Sequence, residues 1–301
     1  MKILLAVSGG ADSIYLASRA GEFFPGAQLG VAHCNFCLRG AESDEDESFV
    51  RGWCASRGLP LFCRRFDTAS YASWNGISVE MAARDLRYAW FAQLCSEQGF
   101  TAVAVAHNAN DNAETLMLNL LRGTGSRGLR GMGKESKTHA GGKELTILRP
   151  MLDITRREIE SALRKDGISW REDSTNREND ARRNKIRNQV FPVFKEINPS
   201  YVRTLGRDMA HFRQADDIAD DYFRSSGLNL EKGVDVRALL ALKHWEYVLF
   251  RLTEPYNLSE ETFCKLTDLL KSGRTISGKV FQSPTHIVFI KLKTISVRPR
   301  D

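Results

Sequence analysis

K-I-L-L-A-V-S-G-G-A-D-S, residues 2 to 13, decides how the rest of this chain is read. Its aliphatic run, Ile3 to Val7, is short and uncharged, as in a strand covered on both faces. From Ile14 to Phe24 the spacing turns helical, with Ile14, Leu16, Ala17, Ala20 and Phe24 largely on one side. Ser8 to Ser13 is therefore a strand-to-helix junction. Glycines there let the backbone approach a ligand, and the free N–H groups of a helix start suit an anion. The same residues also fit a plain tight turn, with Asp12 or Ser13 as helix cap. Neither G-x-x-x-x-G-K-[ST] nor G-x-G-x-x-G occurs at this junction, so the chemistry of those phosphate motifs is excluded there.

Working outward, Gln28–His33, Pro60–Phe66, Thr101–His107 and Leu145–Leu148 read as strands, and 43–57, 78–98 and 111–122 as helices. Such alternation predicts an α/β fold with a Rossmann-like parallel sheet and helices on both faces. Ligands in such sheets bind at the carboxyl ends of the strands, where the polar clusters after strands one, two and four all fall. Residues 131–143, G-M-G-K-E-S-K-T-H-A-G-G-K, read as a mobile loop that closes when the substrate binds. Thr155 and Glu158 form a capping box for a helix to about Lys165. Asn198-Pro199 breaks the chain, which places a catalytic domain at 1–197 and a smaller, mostly helical domain at 198–301. There 200–226, 237–254 and 259–271 are helical, and 275–296 alternates like a hairpin with turns at Gly278 and Ser283-Pro284.

The 301 residues are 42% hydrophobic and 27% charged, an ordinary globular balance. No apolar run reaches the roughly 20 residues that cross a bilayer, and Lys2–Val7 leads into the glycine turn rather than a signal peptide. Six scattered cysteines suggest reduced thiols and a cytoplasmic setting. The net charge of +6 is uneven, acidic over 42–47 and basic over 177–188, which suits a polyanionic partner or a solvated surface equally. Cys34-x-x-Cys37 has no second pair with which to complete a four-ligand metal site. The five tryptophans, Trp74 among them, read as packing residues, with Trp170 beside Arg171 fitting a base-stacking platform equally.

Two further clusters carry chemistry. Asp111 and Glu114 stand three apart at a helix start after His107, as a functional acid pair or as a capping box. Glu80, Arg84 and Arg87 share one helix stripe, either a surface ion-pair ladder or a carboxylate and two guanidiniums aimed at one pocket.

Ser8-Gly9-Gly10-Ala11-Asp12-Ser13 resembles the S-G-G-x-D-S pyrophosphate loop of the N-type ATP pyrophosphatases, the PP-loop superfamily. Further segments resemble one branch, the tRNA(Ile)-lysidine synthetases. They are His33-Cys34-Asn35-Phe36-Cys37-Leu38-Arg39 with Glu42-Ser43-Asp44, and Glu80-Met81-Ala82-Ala83-Arg84 with Arg87-Tyr88. His107, Asp111, Glu114-Thr115 and Arg122-Gly123-Thr124-Gly125 follow in order, then Arg149-Pro150-Met151-Leu152, Glu172–Asn176 and Arg183-Asn184-Lys185-Ile186-Arg187. The likeness is strong over 1–200 and weaker to about 290. Cys37 stands where the family commonly has histidine, and many members carry a further carboxy-terminal domain for the acceptor stem beyond the point where this sequence stops.

The resemblance implies an ATP- and Mg²⁺-dependent ligase. Ser8, Gly9, Gly10, Ala11, Asp12, Ser13, His33 and His107 would hold the nucleotide, with Asp12 also on the metal. Its partners would be free L-lysine and the isoleucine tRNA with a CAU anticodon, with no membrane involved; whether it works as a homodimer is left open. Asp111 and Glu114 would hold or deprotonate the lysine, and Arg87 and Arg183 would neutralise charge developing on an adenylated base. Asp12, Arg87, Asp111, Glu114 and Arg183 thus become the catalytic set. Glu80, Arg84, Asp111, Glu114 and Arg187 become the substrate-binding set. A tRNA 2-thiolation enzyme and a non-catalytic tRNA-binding protein are the alternatives.

Overall fold

The computed structural model describes residues 1–172, 181–272 and 277–300, in two units, 1–213 and 214–301. The first is built on a six-stranded sheet of order β3-β2-β1-β4-β6-β5. β1 (Lys2–Ala6) leads into α1 (Ala11–Ser18), and Arg19 separates α1 from the single turn α2 (Ala20–Phe23). The helix expected to run through Phe24 breaks there because Arg19 leaves helical geometry. β2 (Gln28–Asn35), α3 (Ala41–Ala55), β3 (Leu61–Arg65), α4 (Thr68–Asn75), α5 (Val79–Gln98), β4 (Ala102–Ala104) and α6 (Ala109–Arg122) follow. After the short α7 (Ser126–Leu129) come β5 (Glu135–Ala140), β6 (Lys143–Leu148), α8 (Arg156–Lys165) and α9 (Ala181–Lys185). A π-helical turn at Ile186–Val190 joins α9 to α10 (Phe191–Ile197), and α11 (Tyr201–Ser225) contains the point where the units divide.

β1 is central because it can be. Ile3, Leu5 and Val7 enter one core with Ile14, Leu16, Val50, Trp53, Ile159 and Leu163, from α1, α3 and α8. Leu4 enters the other with Tyr88, Phe91 and Leu94 of α5, and with Val103, Leu145 and Ile147. Alternate residues of one strand thus fill both layers. β1 pairs in parallel with β2 and β4, and β4 with β6, so the chain order reverses between β1 and β4. A crevice opens at their carboxyl ends. Gly30 is required in β2, since a Cβ there would lie 2.5 Å from the Phe100 ring.

The segment expected as a mobile loop is largely a hairpin. β5 runs antiparallel to β6, and Gly141 and Gly142 at φ 56° and 74° make its two-residue turn. The predicted capping box at Thr155 and Glu158 is present. Trp74, read as a packing residue, is 85% exposed at the end of α4.

The second unit holds α12 (Val236–Leu240), α13 (Trp245–Thr253) and α14 (Glu260–Lys271) with a four-stranded antiparallel sheet. β7 (Val234–Asp235), β8 (Val280–Gln282), β9 (His286–Lys291) and β10 (Thr294–Pro299) form it in the order β7-β10-β9-β8. The expected hairpin is thus part of a larger sheet, and its start at 275–276 lies outside the described residues. Leu239, Val248, Leu249, Leu266, Val288, Ile290 and Ile295 make the core. No helix among the described residues is long and apolar enough to cross a membrane.

Candidate active site

The turn after β1 is wired from within. Ser13 Oγ accepts from the N–H groups of Ser8 and Gly9, both at 3.1 Å, and donates to Gly10 O at 2.9 Å. Gly9 sits at φ 100°, closed to ordinary side chains, and its carbonyl accepts from Arg171 N–H at 2.9 Å. Gly10 is the N-cap of α1 without side-chain capping, so the first-turn N–H groups of Ala11, Asp12 and Ser13 stay available to a ligand.

These groups face a cavity of about 240 Å³, lined by Ser8, Gly10, Ala11, Asp12 and Ser13. Ala106, Arg39, Asp46, Arg156 and Arg171 complete it. Three guanidiniums and a helix start outweigh two carboxylates, which makes the cavity an anion site. Asp46 ties its far wall together, accepting from Arg39 Nη2 at 2.7 Å and Arg171 Nε at 2.9 Å. Arg39 was visible as part of a motif. Arg156, Arg171 and Asp46 were missed, because their pairings span over a hundred residues or lie in an acidic run that reads as solvated surface.

Asp12 looks into this cavity from α1, bonded to Arg156 Nη1 and, at 3.1 Å, to Asn108 Nδ2. Burial raises its pKa; Arg156 opposes the rise and the nearby Asp111 adds to it. Asn108 is also the N-cap of α6, where its Oδ1 accepts from Asp111 N–H at 3.1 Å while Asp111 Oδ2 accepts from Asn108 N–H at 3.0 Å. The capping box is therefore Asn108 with Asp111, not Asp111 with Glu114. One asparagine joins the anion cavity to the acid pair.

Glu114 is 1% exposed and its pKa is raised by burial. Arg187 grips it with two bonds, Nε to Oε1 at 2.7 Å and Nη2 to Oε2 at 3.1 Å. Arg183 Nε lies 3.6 Å from Oε2, and Arg187 Nη2 lies 3.7 Å from Asp111 Oδ1. Asp111 is likewise raised by burial. Ala113 and Leu118 of α6 pack with Ile186 and Phe191, holding both arginines opposite the acids. The π turn that carries Arg187 widens the helix at this point, a common device at functional sites.

His107 meets a second set of cations. Arg149 Nε donates to its Nδ1 at 3.2 Å, and burial together with Arg149, Arg183, Arg87 and Arg84 pushes its pKa down to about 3. Arg87 lies 5.1 Å over the Phe36 ring, and Arg84 lies 4.9 Å over that of Tyr88. Glu80, placed with these arginines by the sequence, is exposed in the first turn of α5 and makes no ion pair among the described residues. His33 does not line the cavity. It is buried beneath the end of β1, bonded through Nδ1 to Val7 O at 2.9 Å. Burial pushes the Cys34 thiol up to about 12, and no group of three or more His, Cys, Asp or Glu among the described residues could hold a metal. Residues 173–180, with Asp173–Asn176 of one motif and part of the basic stretch 177–188, lie outside the described residues.

A glycine-turn anion cradle at the switch point of this sheet, opened by Asp12 and adjoined by an acid–arginine cluster, defines a nucleotide-binding PP-loop protein. Residues 1–194 match the PP-loop domain family, and residues 230–298 match the TilS substrate binding domain. The tRNA(Ile)-lysidine synthase of Chlorobaculum tepidum is 48% identical over 78% of this chain and 69% of its own length. That of Bacteroides thetaiotaomicron is 37% identical over 100% and 68%. The Porphyromonas gingivalis enzyme is 39% identical over 99% of this chain, which spans 63% of that relative's length. The chain belongs to the tRNA(Ile)-lysidine synthase family. Among solved structures, the U34-tRNA thiolase NcsA of Methanococcus maripaludis, with its [4Fe-4S] cluster, superposes with a TM-score of 0.56 at 17% identity. That match covers 70% of this chain and 72% of the thiolase, and it establishes a shared fold.

Proposed function

We propose that this chain ligates free lysine to C2 of the wobble cytidine of an isoleucine tRNA with a CAU anticodon, using ATP and releasing AMP and pyrophosphate. The observation that carries the reading is the run Asp12–Asn108–Asp111, which sets a pyrophosphate-sized anion cradle directly beside a buried acid pair. Adenylation and cation capture need those two sites side by side.

In the first step O2 of the cytidine attacks the α-phosphorus of ATP, and pyrophosphate leaves into the cradle. The N–H groups of α1 and the guanidiniums of Arg39, Arg156 and Arg171 stabilise the departing charge. Asp12 is the residue that fits Mg²⁺: a half-buried carboxylate at the mouth of a phosphate cradle, with a second carboxylate close enough to raise its pKa. Mg²⁺, when bound, supplies charge neutralisation between phosphates.

In the second step the ε-amine of lysine attacks C2 and AMP leaves. An ammonium with a pKa near 10.4 is no nucleophile until it loses a proton. Asp111 and Glu114, both made more basic by burial, hold the ammonium and take that proton. Arg87 and Arg183 would neutralise charge developing on the adenylated base, and the basic stretch 177–188 would grip the RNA backbone. The catalytic domain ends near Ile197, and the second carries further RNA contacts.

The test supplies labelled lysine, Mg-ATP and unmodified isoleucine tRNA, and follows label into RNA against AMP released. One-for-one transfer is the expected result. AMP without lysine transfer would move the reading to another nucleophile, such as sulfur.

A further inference from the structure

Arg149 stands directly after β6 and is held on three sides. Its Nη1 donates to Gly133 O at 3.1 Å and Ser136 Oγ at 2.8 Å, its backbone N–H donates to Lys134 O at 2.7 Å, and its Nε donates to His107 Nδ1. The base of the β5–β6 hairpin thus fixes one guanidinium against one imidazole. A guanidinium has five donors and no acceptor. Nδ1 of His107 must therefore present its lone pair, and the single proton of the uncharged ring must sit on Nε2.

The surrounding charges agree. Arg149 lies at the Nδ1 edge of the ring, and the charges of Arg183 on α9 and of Arg87 and Arg84 on α5 also act on it. The acids of the following helix, Asp111 and Glu114, face Arg187. A second proton on the imidazole would add a cation to four others.

We propose that Arg149 is a positioning residue that locks His107 as the neutral Nε2–H tautomer, so that the site meets an oxygen of its substrate with an uncharged donor and not with a base. Placement by a hydrogen bond to the far ring nitrogen is a general way to set a histidine's role. The chemical half of this inference rests on the ligase reading; the tautomer does not.

The experiment uses the full chain labelled with ¹⁵N-histidine, recorded by long-range ¹H–¹⁵N correlation without substrate. Six histidines are present, and His107 is assigned by the signal lost in His107→Gln. The expected spectrum has a pyridine-type Nδ1 and a pyrrole-type Nε2, unchanged between about pH 8 and pH 5, where an ordinary histidine takes up its proton. A tautomer mixture, a pyrrole-type Nδ1 or an imidazolium at the acid end overturns the proposal. In Arg149→Met, which keeps the chain length and removes the donors, His107 should show mixed tautomers while the ring stays uncharged, since burial, Arg183, Arg87 and Arg84 remain; a retained single tautomer overturns Arg149 as its cause. In the adenylation assay the same variant should lower kcat at least about tenfold with little change in KM for ATP. Unchanged kcat beside a changed tautomer would refute the donor role. A wild-type chain with no ligase activity but the expected spectrum would fault the function and leave the tautomer standing.

Discussion

The anion cradle and the acid pair are neighbours built on opposite plans. The cradle is main chain, with the Ser8 and Gly9 N–H groups already satisfied by Ser13 and the first turn of α1 left open. These main-chain donors have nothing to release before a phosphate arrives, whereas Arg39, Arg171 and Arg156 around them are held by Asp46 and Asp12. The acid pair is side chain, and it is closed by its own arginines, above all by Arg187 on Glu114. A cationic ligand must displace a guanidinium there. On the ligase reading proposed above, the difference teaches that phosphate is met by preset backbone geometry, whereas selection of the amine would be a competition between cations.

The sharpest way to break this contrast is Asp12→Ala. AMP formation should fall about a thousandfold, the loss expected when a group stabilising transition-state charge is removed. Full activity would mean the cradle binds without taking part in chemistry. On the acid side, Glu114→Gln should cost roughly 2 kcal/mol in urea unfolding, below the range for a fully buried pair because Arg187 keeps 39% exposure. Pairing it with Arg187→Met should recover part of that loss; strict additivity would show that the two side chains are not coupled.

Ser13→Ala tests the claim that the cradle is wired beforehand. Two N–H groups lose their acceptor, so stability should drop by about 1 kcal/mol and KM for ATP should rise, with kcat nearly kept. The smallest effect concerns pH. Because burial raises the pKa of Asp12, the folded state disfavours its charge, so this carboxylate weakens folding as pH rises through its folded value and costs nothing below the ordinary range near 3.9. Asp12→Asn should therefore raise the melting temperature at neutral pH, and the gain should vanish in acid. A gain that grows on acidification would reverse the sign assigned here.

Much of this was legible because it is local. Ile3–Val7 alternates into two cores, Thr155 and Glu158 lie three residues apart, and Gly9-Gly10 marks a turn that only particular backbone angles allow. What could not be read locally is of two kinds. Arg156 on Asp12 and Arg171 on Asp46 join residues more than a hundred positions apart, and no periodicity announces them. β5, E-S-K-T-H-A, carries no apolar face, so its strand character comes from pairing with β6 alone. The closure of the acid pair by Arg187 is likewise a product of packing between α6 and the π turn.

That same polar β5 has a consequence for how the molecule behaves in a crowded cell. The six-stranded sheet ends in β3 on one side and β5 on the other. Both borders carry charge, Arg64 and Arg65 on the first, Glu135 and Lys137 on the second. An unguarded strand is an invitation for another chain to add itself and begin an aggregate. Here each flank is armed against such recruitment, so the aliphatic strands between them can stay as greasy as the nucleotide fold demands without becoming sticky to their neighbours.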